Sequence, residues 1–162
     1  HLPDLNKPPE HVLRDISKFI ESLPLDHVAL VGSSLGGFYA TYFVAKYACP
    51  AVLINPAMQP WQLFKDLFGI EQIPLKVTES WTLDTDQLQQ LQSIANTRLN
   101  HADKILVLLQ QGDEVLDYRQ AQRYYIAVQP SSLILTDMDG NHAMDDFEEK
   151  LPLILEFLSA AL

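Results

Sequence analysis

The 162-residue sequence predicts an α/β fold with a mostly parallel sheet and helices on both faces. Two observations lead there. Short, continuous apolar runs alternate with segments of helical periodicity, and each run ends in a cluster of turn-forming residues. In open sheets of this kind a ligand binds beyond the carboxyl ends of the strands, so the residues just after each run are where chemistry is to be sought.

Val12, Leu13, Ile16, Phe19, Ile20 and Leu23 recur at helical spacing between Pro8-Pro9 and Pro24, which predicts an amphipathic helix. Val28 to Val31, preceded by His27, form an apolar run ending at Gly32, the pattern of a strand buried on both faces. Helical character resumes from Leu35 to Tyr47. A second run, Ala51 to Ile54, ends in Asn55-Pro56; a third, Ile105 to Leu109, ends near Gly112-Asp113; a fourth, Ser132 to Thr136, ends in an acidic loop. Between them, Asp86 to Arg98 carries Leu88, Leu91, Ile94 and Ala95, and Tyr118 to Val128 carries Ala121, Tyr124, Tyr125 and Val128, both at helical spacing. Leu151, Ile154, Leu155 and Leu158 predict a last helix, with Pro152 expected in its first turn. Residues 57–80 carry Met58, Trp61, Leu63, Phe64, Leu67 and Phe68 before a looser stretch around Pro74. This segment is the candidate lid or specificity element, with Trp61 and Phe64 as substrate-pocket candidates, although the same pattern also describes a helix that only packs on the sheet.

The length fits one domain, expected to cover residues 1–162, and 48% hydrophobic with 20% charged residues is a globular balance. A formal net charge of -10, with no cluster of Lys and Arg, argues against nucleic acid and anionic lipid as partners. The single cysteine, Cys49, cannot form an internal disulfide and precedes an apolar run, so a buried structural thiol and a cytoplasmic location are expected. The apolar runs fall short of the ~20 residues that span a bilayer, and membrane insertion is not expected.

The turn after the first strand reads Gly32-Ser33-Ser34-Leu35-Gly36-Gly37, a G-x-S-x-G sequence between strand and helix. Such a nucleophile elbow holds its serine in strained backbone geometry and needs glycines where side chains would collide. It also sets Ser34 at a helix N-terminus, where the Leu35 backbone N–H can stabilise an oxyanion. The competing reading is a glycine-rich turn whose serine merely caps the helix. A serine hydroxyl needs a base, and the base needs an orienting group. The third run is followed by Gly112-Asp113-Glu114-Val115-Leu116-Asp117 and the fourth by Gly140-Asn141-His142-Ala143, in the order acid then histidine that this architecture uses. His142 is the base candidate, because His1, His11, His27 and His101 lie at the terminus, on or beside helices, or at the wrong end of a strand. Asp113 is favoured as the acid over Glu114 and Asp117 because it leaves the strand directly. Asp137 to Asn141 with Glu148 resembles a calcium loop only in part, since His142 stands where that loop needs glycine.

Gly32 to Gly37, Ala51 to Ala57, Gln111-Gly112-Asp113-Glu114-Val115-Leu116-Asp117-Tyr118-Arg119-Gln120-Ala121 and Gly140 to Ala143 together closely resemble the YqiA-type esterases, small bacterial α/β-hydrolases. The resemblance runs along almost the whole chain. It implies an α/β-hydrolase fold and serine carboxylesterase activity on small acyl esters, extending to acyl thioesters, with no cofactor or metal. It supports Ser34 and His142 and places the acid in the Asp113 loop. Members of that family begin with a strand ending in His-Gly, whose loop supplies a second oxyanion N–H. The sequence from His1 shows no such segment, so the chain is expected to be N-terminally incomplete, with Val28 to Val31 left as an apolar edge. One lost oxyanion donor costs roughly 100- to 1,000-fold in rate, so the complete protein is expected to be the active form. The alternative expectation is an inactive member of the fold that binds an acyl ligand or a partner protein.

Overall fold

A computed structural model of the chain describes residues 1–69 and 72–162. Its elements in chain order are α1 (Pro9–Glu21), β1 (Leu30–Ser33), α2 (Leu35–Tyr47), β2 (Ala51–Ile54), α3 (Pro60–Phe68), β3 (Leu75–Lys76), β4 (Thr82–Leu83), α4 (Thr85–Ala95), β5 (Ile105–Gln110), α5 (Tyr118–Ala127), β6 (Leu133–Asp137) and α6 (Phe147–Ala161). They form two compact units, one of His1–Leu23 with Gln59–Thr97 and one of Pro24–Met58 with Arg98–Leu162. Ile70 and Glu71, inside the 57–80 segment, lie outside the described residues.

The second unit is built on a parallel sheet of order β1-β2-β5-β6. Ser33, Ile54, Leu108 and Leu135 share one row across it, so the carboxyl ends of all four strands lie along one side. The central strands β2 and β5 are buried along their whole length, which is why their sequences are unbroken apolar runs rather than alternating ones. Alternate residues face opposite layers. Ala51, Leu53, Ile105, Val107 and Leu109 pack with Ala40 and Val44 of α2 and Ala121 and Tyr125 of α5. Val52, Ile54, Leu106 and Leu108 pack with Ile154 of α6 and with Met144. This is the α/β layering that the alternating pattern predicts.

Two elements depart from the sequence reading. The first strand is not buried on both faces: β1 starts two residues later than its apolar run, only Gly32 in it is buried, and Val31 is 54% exposed. Among the described residues β1 pairs with β2 alone, so it is an edge, as the family resemblance led us to expect for this run, although its composition alone suggests a strand buried on both faces. The last helix begins at Phe147, placing Pro152 inside it instead of in its first turn. Proline there removes a bond to the Glu148 carbonyl, and both Glu148 and Pro152 are exposed, so the break lies on the solvent side of the helix.

In the first unit α1 and α3 both lie against α4, and β3 pairs antiparallel with β4. Val12, Ile16 and Ile20 form the buried stripe of α1, and Leu88, Leu91 and Ile94 that of α4. Asp84 caps α4 by accepting the Gln87 N–H at 2.9 Å, and the buried Trp81 ring donates its Nε1–H to Gln87 Oε1 at 2.6 Å. Among the described residues no helix is long and apolar enough to cross a membrane.

Candidate active site

Ser34 sits between β1 and α2 with φ 51° and ψ -118°, a conformation that costs a non-glycine residue about 1–3 kcal/mol. Backbone bonds hold it there. Its N–H donates to the Ile54 carbonyl at 2.9 Å, and its carbonyl accepts the N–H groups of Ala57 at 3.0 Å and Phe38 at 3.2 Å. The elbow is thus stitched to the end of β2. A Cβ at Gly32 would stand 2.4 Å from the Gly36 oxygen, and one at Gly37 would stand 2.8 Å from the Pro56 Cβ, so both glycines are steric requirements. Ser34 occupies the N-cap of α2 yet its side chain makes no capping bond, so the helix does not consume the hydroxyl. Leu35 opens α2, in the turn whose N–H groups have no intrahelical acceptor.

The acid and the histidine meet at the ends of β5 and β6. Asp113 Oδ2 lies 2.8 Å from His142 Nδ1, while its Oδ1 accepts the backbone N–H groups of Val115 and Leu116, each at 2.8 Å. The Asp113 side chain is 2% exposed and the imidazole 21%, which leaves Nε2 as the ring nitrogen not engaged by the acid. Neither alternative acid reaches the ring. Glu114 Oε2 accepts the backbone N–H of His142 at 3.0 Å, and that bond is the main cause holding its carboxyl below the ordinary carboxylate range. Asp117 accepts the N–H of Arg119, caps α5, and takes the Arg119 guanidinium at 2.8 Å.

Two buried carboxamides at this sheet edge escaped the sequence reading. Asn55, 2% exposed, follows β2 with φ 39°, a conformation asparagine tolerates. Its Oδ1 accepts the Gln110 N–H at 3.0 Å, and its Nδ2 donates to the carbonyls of Asn141 at 3.1 Å and His142 at 3.2 Å. Gln110, 1% exposed, ends β5; its Oε1 accepts the Asn141 N–H at 2.7 Å and its Nε2 donates to Asp146. The signal was present in both cases, as a polar residue closing an apolar run beside a turn. Trp61 and Phe64 belong to the first unit, partly buried on α3, where Phe64 stacks with Phe68 at 6.4 Å between ring centroids.

Residues 1–159 match the family described as the uncharacterised protein family UPF0227. The UPF0227 protein YcfP of Salmonella arizonae is 24% identical over 148 residues, 91% of this chain and 74% of that protein. Among solved structures, the esterase Pf2001 of Pyrococcus furiosus superposes with a TM-score of 0.60 at 16% identity, over 96% of this chain and 63% of its own length. The monoacylglycerol lipase of Paleococcus ferrophilus gives 0.62 at 15% identity, over 94% and 76%. At these identities the structural likeness establishes the fold, an α/β-hydrolase.

Proposed function

The chain belongs to the UPF0227 family, and on that footing we propose that it is a serine carboxylesterase that hydrolyses acyl esters, and acyl thioesters as a second class, through an acyl-enzyme on Ser34. The observation that carries this reading is the Asp113–His142 contact at 2.8 Å, made at strand ends on the same side of the sheet as the strained Ser34 elbow. Naming by function of the esterase and the lipase that share the fold agrees with it.

In this mechanism Ser34 Oγ attacks the acyl carbon as His142 Nε2 takes the hydroxyl proton. Asp113 holds the ring in the tautomer with a proton on Nδ1 and balances the imidazolium charge. The Leu35 N–H stabilises the oxyanion of the tetrahedral intermediate. Collapse breaks the bond to the alcohol or thiol, which takes the proton from His142 and leaves. Water then attacks the acyl-serine, with His142 as base again, releasing the acid and restoring the hydroxyl. Residues 57–80, with Trp61 and Phe64, are assigned to acyl-chain selection, and a Trp61→Ala variant with an unchanged chain-length profile would remove Trp61 from that role.

The test uses the full-length protein. It is expected to hydrolyse short-chain p-nitrophenyl esters and to be labelled at Ser34 by a fluorophosphonate, with both properties lost in Ser34→Ala. Neither turnover nor labelling in the wild type would end the proposal, and full turnover in Ser34→Ala would end the mechanism.

A further inference from the structure

The loop that presents His142 is neither helix nor strand, so its peptide groups must find partners elsewhere. They find them in side chains from three other places. Gln110 accepts the Asn141 N–H, Asn55 donates to the carbonyls of Asn141 and His142, and Glu114 accepts the His142 N–H. Two residues further on, Met144 is buried in the apolar layer with φ 54° and ties the far side of the loop to the sheet.

The carboxamides are also shaped into the loop. A Cβ at Gly140 would lie 2.1 Å from the Gln110 Cδ, so the Gln110 side chain occupies the space any other residue would need there. The Asn55 Oδ1 is used by the Gln110 N–H, which fixes the amide so that its Nδ2 faces the histidine loop. At its other end Gln110 donates to Asp146, which Lys150 holds at 3.0 Å while also reaching Asp137 at 2.7 Å. A buried polar network with its partners satisfied specifies one arrangement, because any other leaves unpaired groups in a medium of low dielectric constant.

We propose that Asn55 and Gln110 are positioning residues for the base: a pair of buried carboxamides at the ends of β2 and β5 that sets the Asn141–His142 backbone and so holds the imidazole against Asp113. The inference rests on the esterase reading for its catalytic meaning. Neither residue touches the reacting atoms; both act through the histidine loop. The same Asn55 peptide adjoins Ile54, whose carbonyl accepts the Ser34 N–H, so one short segment references both the nucleophile elbow and the base loop.

The experiment compares Asn55→Asp and Gln110→Met in the full-length protein. Aspartate keeps the acceptor for the Gln110 N–H and tolerates the same backbone, but it cannot donate to the Asn141 and His142 carbonyls. Methionine keeps the volume of Gln110 and removes both of its bonds. With p-nitrophenyl acetate each variant is expected to lose about 30- to 100-fold in kcat, the size of effect that follows from a misplacement of about 1 Å, with KM within about twofold. The His142 Nδ1–H proton resonance is expected to shift from its wild-type position in both, while thermal unfolding stays cooperative. A folded Asn55→Asp with kcat within about threefold of wild type overturns the proposal, and so does a fall in kcat with the His142 resonance unmoved. If Asn55→Asp does not fold, Gln110→Met carries the same two readouts. Absence of esterase activity in the wild type would strike the catalytic reading alone, because the His142 resonance still reports whether the ring position depends on these carboxamides.

Discussion

Asp113 and His142 are joined by a 2.8 Å contact that uses one carboxylate oxygen, while the other is occupied by the amides of Val115 and Leu116. The acid is therefore held by its own loop before it meets the ring, and it cannot rotate to face Asn141 or solvent without breaking two bonds. Asp113→Asn is expected to lower kcat about 10⁴-fold with little change in KM, because the amide favours the wrong imidazole tautomer. Asp117→Asn, which alters only the α5 cap and an exposed pair with Arg119, should stay within about threefold. Steady-state rates on one ester settle the comparison, and a larger loss at Asp117 would transfer the acid role to it.

Gly37 is bounded by the Pro56 Cβ on one side and the Gly32 oxygen on the other. Gly37→Ala is expected to destabilise the protein by about 1–3 kcal/mol through overpacking and to impair the elbow as well. Urea unfolding measures the first and fluorophosphonate labelling the second; a variant as stable and as reactive as wild type would contradict the steric account.

One helical turn beyond Gly37, Thr41 Oγ1 bonds both the Gly37 carbonyl at 2.9 Å and the fully buried Tyr125 hydroxyl at 2.6 Å. Burial raises the Tyr125 pKa above its ordinary value, so the phenol stays neutral. Removing either partner has unequal effects. Tyr125→Phe leaves Thr41 its bond to Gly37 and should cost about 1 kcal/mol or less, whereas Thr41→Val strands a buried phenol and should cost about 1–3 kcal/mol. The reverse order in urea titrations would show that the tyrosine hydroxyl finds another partner.

Lys150 bridges Asp137 and Asp146, and its ammonium is the main cause holding the Asp146 carboxyl below the ordinary value; Asp137 first, then Asp146, raise the Lys150 pKa in turn. A depressed carboxyl stabilises the fold above its unfolded pKa and loses that contribution as pH falls through the folded one. A raised ammonium stabilises below its unfolded pKa and loses the contribution as pH climbs through the folded one. The difference in Tm between wild type and Lys150→Met is therefore expected to be flat from about pH 5 to 9, to shrink below about pH 4, and to shrink again above about pH 10.5. A difference that grew on acidification would refute the assignment.

The parts of the fold that were readable are those where one local rule decides the outcome. The β2 and β5 runs are apolar throughout because both faces are covered, and the elbow glycines are demanded by contacts of 2.4 and 2.8 Å that admit no side chain. Composition alone is a poor guide where a distant partner decides. Val28 to Val31 has the composition of a central strand, yet its exposure depends on which strands lie beside it, and only the family resemblance pointed to an edge. Pro152 signals a first turn locally, but the helix is started upstream at Phe147. Asn55 and Gln110 belong to the same class: one follows β2 and the other closes β5, and each is an ordinary polar residue until the histidine loop, more than thirty positions beyond Gln110, comes to rest on them.

The row formed by Ser33, Ile54, Leu108 and Leu135 has a consequence for synthesis of the protein. The proposed nucleophile leaves the ribosome first, while the strand that delivers its base is translated about a hundred residues later. Under the proposed mechanism a growing chain has no base for Ser34 until His142, five residues past β6, has been made. On the proposed mechanism ester turnover cannot begin before the segment from β6 to His142 is in place, so its onset would time the completion of that segment.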